Sequence, residues 1–332
     1  CDERAPFVNA SSQAGLPHAL QVAAAVAGSQ SYPQGCLYLV ATPIGNLADI
    51  SLRALHVLHM ADVLACEDTR HTQALLRAWG MQRPPGQLLA LHQHNEQAAA
   101  QAVVQHLQAG RRVAYVSDAG TPAISDPGAR LVRAVQASGL RVMPVPGASS
   151  VTAALCASGA DTTEAASGVA GADGGWVFAG FLPAKGRERQ QALAALQAER
   201  RAVVLLEAPH RIAALCSELA ACGARPVTLA RELTKQFESI ATMPAAELPA
   251  WMQAAPERSK GEFVLVLHPQ PREDVPAEDA LLPEQERVLR LLLQELPTKA
   301  AVKLAAEITG AARNDLYAQA VRWKAHDDEA EA

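Results

Sequence analysis

The sequence predicts an α/β protein with two α/β domains followed by a small helical region. Short apolar runs alternate with amphipathic helical patterns from residue 36 onwards, and a second series of the same kind begins at residue 176. Strands that alternate with helices are typical of sheets that are mainly parallel. Three helical patterns near the end of the chain, with no strand pattern between them, predict the helical region.

Composition sets the broad class of the protein. The chain has 332 residues, of which 49% are hydrophobic and 19% are charged. These values exclude a disordered or fibrous protein. The apolar stretch 19–27 is too short to cross a bilayer and lacks the flanks of a signal peptide. The cysteines show no metal-binding spacing. We therefore expect a cytoplasmic protein with neither a membrane partner nor a metal ion.

The first part of the chain predicts one domain behind an extension. Residues 1–34 combine Ser, Gln, Gly, Pro and Ala without a clear period, and we expect them to be a disordered extension outside the fold. Residues 35–147 form the N-terminal α/β domain. Its candidate strands are 36–41, 62–66, 87–91, 112–117 and 140–145.

Residues 148–270 predict the C-terminal α/β domain, with a flexible insertion at 159–175 that is rich in Gly, Ala, Thr and Asp. Its candidate strands are 176–181, 202–207, 226–230, 237–242 and 262–268. No clear crossover helix separates the last two runs, so we expect antiparallel pairing there.

The end of the chain predicts a linker at 271–282, a helical region at 283–326 and an acidic tail at 327–332. The helical patterns are 284–296, 299–309 and 313–324, and Gly310 separates the last two as in a helix-turn-helix. Lys and Arg slightly outnumber Asp and Glu here. This balance fits a solvated bundle and a nucleic-acid contact about equally well.

The candidate functional residues lie in polar loops that follow predicted strands. No G-x-G-x-x-G follows a strand, and neither a P-loop nor an H-E-x-x-H motif is present, which disfavours dinucleotide, P-loop and zincin chemistry. Ligands of open α/β sheets bind beyond the carboxyl ends of strands. The polar loops at such ends are 41–47, 67–70, 117–128, 145–150, 207–211 and 230–235.

Loop 117–128 is the richest of these. Its glycines permit close backbone approach, its prolines stiffen it, and Asp118 with the exposed amides suits a polar ligand. We expect Asp126 and Pro127 to cap the following helix. Ser149 and Ser150 suit either a ligand contact or a helix N-cap. His92 and His94 lack a third ligand and make a poor metal site.

Taken in order, these motifs resemble the small-subunit ribosomal RNA methyltransferase I family. The segments that carry the resemblance are 39–50, 67–72, 117–122, 146–147, 180–185 and 230–235. The resemblance implies the tetrapyrrole-methylase fold, with S-adenosylmethionine in the cleft between two α/β domains, and a homodimer. It further implies methylation of the ribose 2′-hydroxyl of cytidine 1402 in 16S rRNA of the small ribosomal subunit.

The same resemblance implies a set of cofactor-binding residues around that cleft. They are Pro43, Asp118, Ala119, Gly120, Thr121, Pro122, Ile124, Ser125, Ser149, Ser150, Phe181, Leu182 and Leu233. The chain departs from the family pattern in the insertion at 159–175 and at Ala208, where a hydroxyl residue often follows the glutamate.

Removal of a proton from a ribose hydroxyl needs a base, and charged groups at strand ends are the candidates. We expect Glu67 or Asp68 to be the base. The residues expected to orient phosphate are Arg70, Lys185, Arg211 and Lys235. Structural ion pairs, of Glu67 with Arg70 and of Glu232 with Lys235, are the alternative.

Two other functions compete with this interpretation. A tetrapyrrole methylase would use the same cofactor cleft on a small macrocycle, but would have no need of the helices after residue 283. A non-enzymatic nucleic-acid-binding protein would need those helices and not loop 117–128. We expect the helical region to contact RNA.

Overall fold

The computed structural model describes residues 16–92, 95–162, 174–270, 281 and 283–330. The chain divides into an α/β unit, Cys1–Gln270, and a helical unit, Pro271–Ala332.

The first sheet of the α/β unit has five parallel strands in the order β3-β2-β4-β1-β5. Its strands are β1 Cys36–Val40, β2 Val63–Cys66, β3 Leu88–Ala90, β4 Val113–Val116 and β5 Arg141–Val145. Helices cover both faces, so the central strands are apolar throughout rather than alternating. Its helices are α1 Leu16–Ala27, α2 Leu52–Met60, α3 Thr69–Ala78, α4 Glu96–Gln108 and α5 Gly128–Ala137.

The second sheet is mixed, in the order β6-β7-β10-β8-β9. Its strands are β6 Trp176–Phe181, β7 Ala202–Glu207, β8 Pro226–Arg231, β9 Ser239–Pro244 and β10 Phe263–Leu267. Its helices are α6 Ser150–Ser158, α7 Gly186–Ala198, α8 Ile212–Leu219 and α9 Leu248–Gln253. Strand β6 is parallel to β7, and β10 is antiparallel to both β7 and β8. Strands β6, β7 and β8 therefore run in the same direction.

All ten predicted strands are present, but the expected antiparallel pairing of the last two runs is wrong, because helix α9 separates them and they run in the same direction. Strands β9 and β10 both run antiparallel to β8, but they lie on opposite sides of it and do not pair with each other. Helix α9 lies in the connection between them and allows the chain to pass over β8.

The expectation that residues 1–34 lie outside the fold is wrong for residues 16–34. Helix α1 packs against α2, with Ala23 and Ala27 buried, and the Tyr32 ring lies 4.9 Å from the His56 ring. The segment 18–27 contains neither glycine nor proline and is rich in alanine, a strong helix former. Its small side chains permit close contact with α2. Residues 1–15 lie outside the described residues.

The predicted insertion and linker fall largely outside the described residues. Gly159 adopts a left-handed conformation with φ of 68° and ends α6, but residues 163–173 are not described. The same holds for 271–280 and 282 of the linker. The expected flexibility of the insertion and the extent of the linker stay predictions.

Three helices form the helical unit, α10 Pro283–Glu295, α11 Thr298–Thr309 and α12 Arg313–Ala330. Leu289, Ala305 and Leu316 are completely buried at their contact. Gly310, with φ of 72°, separates α11 from α12 as the sequence predicts. Helix α12 continues to Ala330, so residues 327–330 are helical rather than a separate tail, because no glycine or proline interrupts the sequence after Arg313. Among the described helices, none is long and apolar enough to cross a bilayer.

The core of the second sheet should control the stability of the α/β unit. Leu205 is completely buried on β7, whereas Val26 on α1 is 61% exposed. Replacement of Leu205 by Ala removes packed methyl groups and leaves a cavity, so we expect a loss of about 2–5 kcal/mol. Val26→Ala, the control, should change stability by less than about 0.5 kcal/mol. Thermal unfolding followed by circular dichroism measures both, and equal melting temperatures for the two variants would contradict this packing.

Candidate active site

Two adjoining crevices lie beside the carboxyl ends of strands from both sheets. The first, which we call the polar crevice, has a volume of about 210 Å³. It is lined by Glu67, Ser117, Asp118, Ala119, Gly120, Thr121, Ile124, Ser125, Asp126, Ser149, Ser150, Val151 and Leu206. These residues come from loops after β2, β4 and β5 and from β7, so both sheets contribute.

The second, the apolar crevice, has a volume of about 310 Å³. It is lined by Ile44, Ser150, Phe181, Leu206, Glu207, Ala208, Pro209, Leu233, Glu262, Phe263 and Val264. Ser150 and Leu206 line both crevices, so the two spaces adjoin. A largely apolar space beside a set of convergent polar groups is the usual form of a small-molecule site.

Loop 117–126 is held in place by hydrogen bonds to its own carboxylate and to the loop after β1. Gly120 and Thr42 exchange backbone hydrogen bonds of 2.9 and 3.1 Å, with Gly120 at φ of 81°. The Asp126 carboxylate accepts from the amides of Ala123 and Gly128 and from the Tyr115 hydroxyl. Burial, with the nearby charge of Asp126, raises the pKa of Tyr115, so this phenol remains a donor.

The cap before α5 differs from the predicted one. Helix α5 begins at Gly128, and Pro127 rather than Asp126 holds the N-cap position. Asp126 still accepts from the Gly128 amide at 2.6 Å, because one residue of offset keeps its carboxylate within reach of the first turn.

Glu67 lies at the end of β2 with its side chain on the polar crevice. Its Oε1 accepts a hydrogen bond from the Asp118 amide at 3.3 Å. Burial raises the pKa of Glu67, and the charges of Asp118 and Asp126 raise it further, although the amide contact works against them. The carboxylate of Glu67 is therefore more basic than an ordinary glutamate.

Asp68, the next residue, is in a different environment. Its Oδ1 caps α3 by accepting from the amides of Arg70 and His71 at 2.8 and 3.3 Å. These hydrogen bonds, the Arg70 amide first, lower the pKa of Asp68. The Arg70 side chain is 92% exposed and lies 3.7 Å from Asp68, so the ion pair expected between Glu67 and Arg70 is made by Asp68 instead.

Ser149 occupies the N-cap position of α6 but makes no capping hydrogen bond with its side chain. The first amides of α6 therefore face the polar crevice without a cap from Ser149. Between β5 and α6 the backbone is close to the first sheet, since a Cβ on Gly147 would lie 2.9 Å from the Ala41 Cβ.

Most cofactor-binding residues implied by the resemblance line the crevices, and the structure adds others. Pro43, Pro122 and Leu182 line neither crevice among the described residues, although Ile44 and Phe181 beside two of them do. Sequence reasoning named the apolar lining residues Ile124, Phe181 and Leu233 but missed five others, which are Ile44, Val151, Leu206, Phe263 and Val264. Ile44 carried a signal, because it lies in a predicted strand-end loop, whereas strand residues such as Leu206 look like ordinary core.

Arg211 and Lys235, expected to orient phosphate, are instead held in ion pairs. The guanidinium of Arg211 lies 3.1 Å from the carboxylate of Glu207, whose side chain is 0% exposed, and donates to the Leu182 carbonyl at 2.6 Å. The Lys235 ammonium contacts Glu232 and Glu262 at 2.9 and 3.1 Å. Burial alone would lower the pKa of Lys235, but these carboxylates raise it overall.

The Glu232 to Lys235 ion pair weighed as an alternative is thus present. Lys185, by contrast, is exposed at the N-cap position of α7 and has no ion-pair partner within the described part of the chain. Within that part, no group of three or more His, Cys, Asp or Glu side chains is arranged to hold a metal ion.

Comparison with known proteins decides the family. The model of tetrapyrrole (corrin/porphyrin) methylases matches residues 36–249, and that of the RsmI C-terminal HTH domain matches residues 279–324. The chain is 46% identical over 292 residues to ribosomal RNA small subunit methyltransferase I of Escherichia coli O157:H7, covering 87% of this chain and 95% of that protein. The chain belongs to the ribosomal RNA small subunit methyltransferase I family.

A second member of this methyltransferase I family, from Pseudomonas aeruginosa, is 44% identical over 290 residues and spans 87% of this chain and 97% of its own. Membership confirms the predicted resemblance, and it makes the chain a methyltransferase with S-adenosylmethionine as methyl donor.

Solved structures confirm the fold. A cobalt precorrin-4 methyltransferase superposes with a TM-score of 0.50 at 20% identity, covering 71% of this chain and 98% of that chain. Diphthine synthase gives a TM-score of 0.51 at 14% identity, over 70% of this chain and 90% of that chain. The α/β architecture with two sheets is therefore the tetrapyrrole-methylase fold.

The ion pair between buried Glu207 and partly buried Arg211 should contribute strongly to stability. Arg211→Ala leaves the Glu207 carboxylate buried without its counter-charge, and we expect a loss of about 3–5 kcal/mol. Arg187→Ala, an exposed arginine on the neighbouring helix α7, is the control and should cost less than about 0.5 kcal/mol. Denaturant unfolding compares the two variants. A stability of Arg211→Ala within that control range would show that the pair contributes little.

Proposed function

We propose that the chain methylates the ribose 2′-hydroxyl of cytidine 1402 in 16S rRNA, as part of the small ribosomal subunit, in the cytoplasm. The observation that supports this most directly is a partly buried glutamate of raised pKa, Glu67, on a polar crevice next to an apolar one, in a chain of this methyltransferase family. The ribosomal substrate agrees with the names of the relatives, and the position within 16S rRNA follows from the resemblance.

The two crevices fit the chemical parts of S-adenosylmethionine. Ile44, Phe181 and Leu233 offer apolar surface to a planar adenine. The uncapped start of α6, with Ser149 and Ser150, suits a carboxylate. Loop 117–125 offers amides and Asp118 to ribose and amino groups. Bound there, the cofactor supplies a methyl group on a positively charged sulfur.

The chain's own residues then align the acceptor and take its proton. Transfer from a sulfonium is an in-line displacement, so much of the rate comes from the fixed geometry of the two substrates. The Glu67 carboxylate accepts the proton of the 2′-hydroxyl as the oxygen attacks. Its raised pKa makes it a better acceptor than Asp68, whose Oδ1 is used by two backbone amides.

Exposed cations are left to contact the RNA backbone near the crevices. Arg70 and Lys185 are exposed, whereas Arg211 and Lys235 are occupied by carboxylates. We assign phosphate contacts to the first two and positioning roles to the second two. Aromatic residues are only 4% of the chain, which favours recognition of shape and phosphates over a broad stacking surface.

The larger organisation supports the same function. We propose a boundary between the α/β domains at residues 147–148, because α6 packs against β10 and β9 of the second sheet. The enzyme acts as a homodimer.

The helical unit is an additional RNA contact. Lys299 and Lys303 lie one turn apart on α11, both exposed.

Transfer of labelled methyl from S-adenosylmethionine tests the function directly. Small ribosomal subunits that lack the modification, naked 16S rRNA and a tetrapyrrole are offered as acceptors, and the product is mapped by mass spectrometry. We expect label on the ribose of cytidine 1402. Label on another nucleotide or on the base would contradict the proposed position, and label on the macrocycle alone would contradict an RNA substrate.

Replacement of Glu67 by Gln tests the base. The amide keeps an oxygen for the Asp118 amide but accepts no proton, so we expect turnover to fall about 10²- to 10⁴-fold with cofactor affinity nearly unchanged. Asp68→Asn is the matched control, since asparagine caps a helix as well as aspartate does. Its turnover should stay within about threefold.

The pH dependence of turnover gives a second test of Glu67 as the base. The base acts when deprotonated, so wild-type turnover should rise with pH through the raised pKa of Glu67, and this rise should be absent from the residual activity of Glu67→Gln. A profile that is the same in both proteins would exclude Glu67.

Charge reversal on α11 tests the RNA contact. Lys303 is exposed and makes no ion pair with the described residues, whereas exposed Arg287 on α10 pairs with Glu284 at 2.9 Å. We expect Lys303→Glu to weaken binding to the small subunit about three- to tenfold and to reduce the salt dependence by about one counterion. Arg287→Glu, the control, should have a smaller effect. Equal affinities for wild type and Lys303→Glu would place the contact elsewhere.

A further inference from the structure

Loops from the two sheets touch beside the apolar crevice, after β1 and after β8. The Asn46 amide donates to the Thr234 hydroxyl oxygen at 3.1 Å. A Cβ on Gly45 would lie 2.9 Å from that oxygen and 3.2 Å from the Leu233 carbonyl oxygen, and it would also overlap the Lys235 side chain. We call these contacts among Gly45, Asn46, Thr234 and Lys235 the interdomain clasp. Only glycine permits the first loop to approach so closely.

The second loop of the clasp is held in a strained backbone. Glu232 and Thr234 have φ of 52° and 66°, which is unfavourable for residues with a Cβ and most of all for a β-branched one. Such conformations persist where surrounding contacts enforce them, and they cluster at ligand sites.

Three hydrogen bonds hold the backbone of the second loop in this conformation. The Thr234 amide donates to the Glu238 carboxylate at 2.6 Å, and the Glu232 carboxylate accepts from the Glu262 amide and the Lys235 ammonium, both at 2.9 Å. The strain is therefore maintained by charged hydrogen bonds rather than by apolar packing alone.

The clasp lies next to two residues of the crevice wall. Ile44 precedes Gly45 and Leu233 precedes Thr234, and both line the apolar crevice at 9% and 8% exposure. One belongs to the first sheet's loop and the other to the second sheet's loop. The clasp thus fixes the distance between Ile44 and Leu233 in the crevice wall. Neither sheet could fix this distance alone, because each residue belongs to a different sheet's loop.

We propose that the interdomain clasp positions the cofactor-binding wall, with Thr234 as a positioning residue that acts through Ile44 and Leu233. Its hydroxyl holds the two loops at the spacing at which the apolar crevice takes the adenine of S-adenosylmethionine. The inference rests on the proposed function, because it places the cofactor in this crevice.

Substitutions at Thr234 separate the hydrogen bond from the shape of the side chain. Thr234→Val keeps the branched shape and removes the acceptor for Asn46, whereas Thr234→Ser keeps the hydroxyl. We expect the dissociation constant of S-adenosylmethionine, measured by calorimetry on the full chain, to rise about tenfold in Thr234→Val, because the free chain then holds the two loops at the binding spacing only about a tenth of the time. It should stay within about twofold of wild type in Thr234→Ser.

A second pair tests the close approach. Gly45→Ala inserts a methyl group into the clasp, whereas Gly86→Ala has no atom within 4 Å of the new methyl and no positive φ. We expect weaker cofactor binding in Gly45→Ala and wild-type binding in Gly86→Ala. In Gly45→Ala and Thr234→Val, turnover at saturating cofactor should fall much less than affinity.

Each other outcome overturns the inference in a distinguishable way. Folded Thr234→Val and Gly45→Ala with wild-type cofactor affinity and lower melting temperatures would show a merely structural contact. If the substitutions raise the KM for the ribosomal subunit and leave cofactor affinity unchanged, the clasp serves RNA binding rather than cofactor binding. If the wild-type chain methylates RNA and none of the substitutions changes the affinity for S-adenosylmethionine, the role of the clasp is refuted and the proposed function stands. If the wild-type chain binds no cofactor, the proposed function is refuted as well.

Discussion

Parallel strands bring all their carboxyl ends to one edge of a sheet, and this constraint shapes the whole site. In the first sheet it gathers the loops after β1, β2, β4 and β5, and in the second the ends of β6, β7 and β8. Because these edges share the crevices, loops far apart in the sequence become neighbours. Thr42 contacts Gly120, and Asn46 contacts Thr234. The site is the consequence of strand direction in both sheets.

Environment separates adjacent carboxylates into different chemical roles. Glu67 is partly buried near two other acids, which raises its pKa, whereas Asp68 satisfies two amides at the start of α3, which lowers its pKa. Two neighbouring residues of almost the same intrinsic acidity thereby differ in role, one as the proposed proton acceptor and the other as a helix cap. The same logic applies to the cations, since Lys235 and Arg211 are fixed by carboxylates while Lys185 is left exposed.

Much of the fold could be predicted, because the apolar runs that form both sheets are bounded by glycine, proline and polar loops. Helix α1 escaped prediction because its buried face consists of alanines, which give little periodic contrast. In the site, the polar loop 117–126 could be predicted from its composition. Leu206 and Phe263 could not be predicted, since an apolar strand residue looks the same in sequence whether it faces the core or a ligand. The ion pair of Lys235 with Glu262 joins separate strand ends and has no local signature.

We propose that one molecule of S-adenosylmethionine occupies both crevices and contacts both sheets. Hydrogen–deuterium exchange of the full chain, with and without S-adenosylmethionine, tests it most directly. We expect slower exchange on binding in loop 117–126 of the first sheet and in loop 231–235 of the second. A separate groove between α4 and α5, lined by Gln97, Gln101 and Arg130 among others, should change little. Protection confined to one sheet, or centred on that groove, would contradict it.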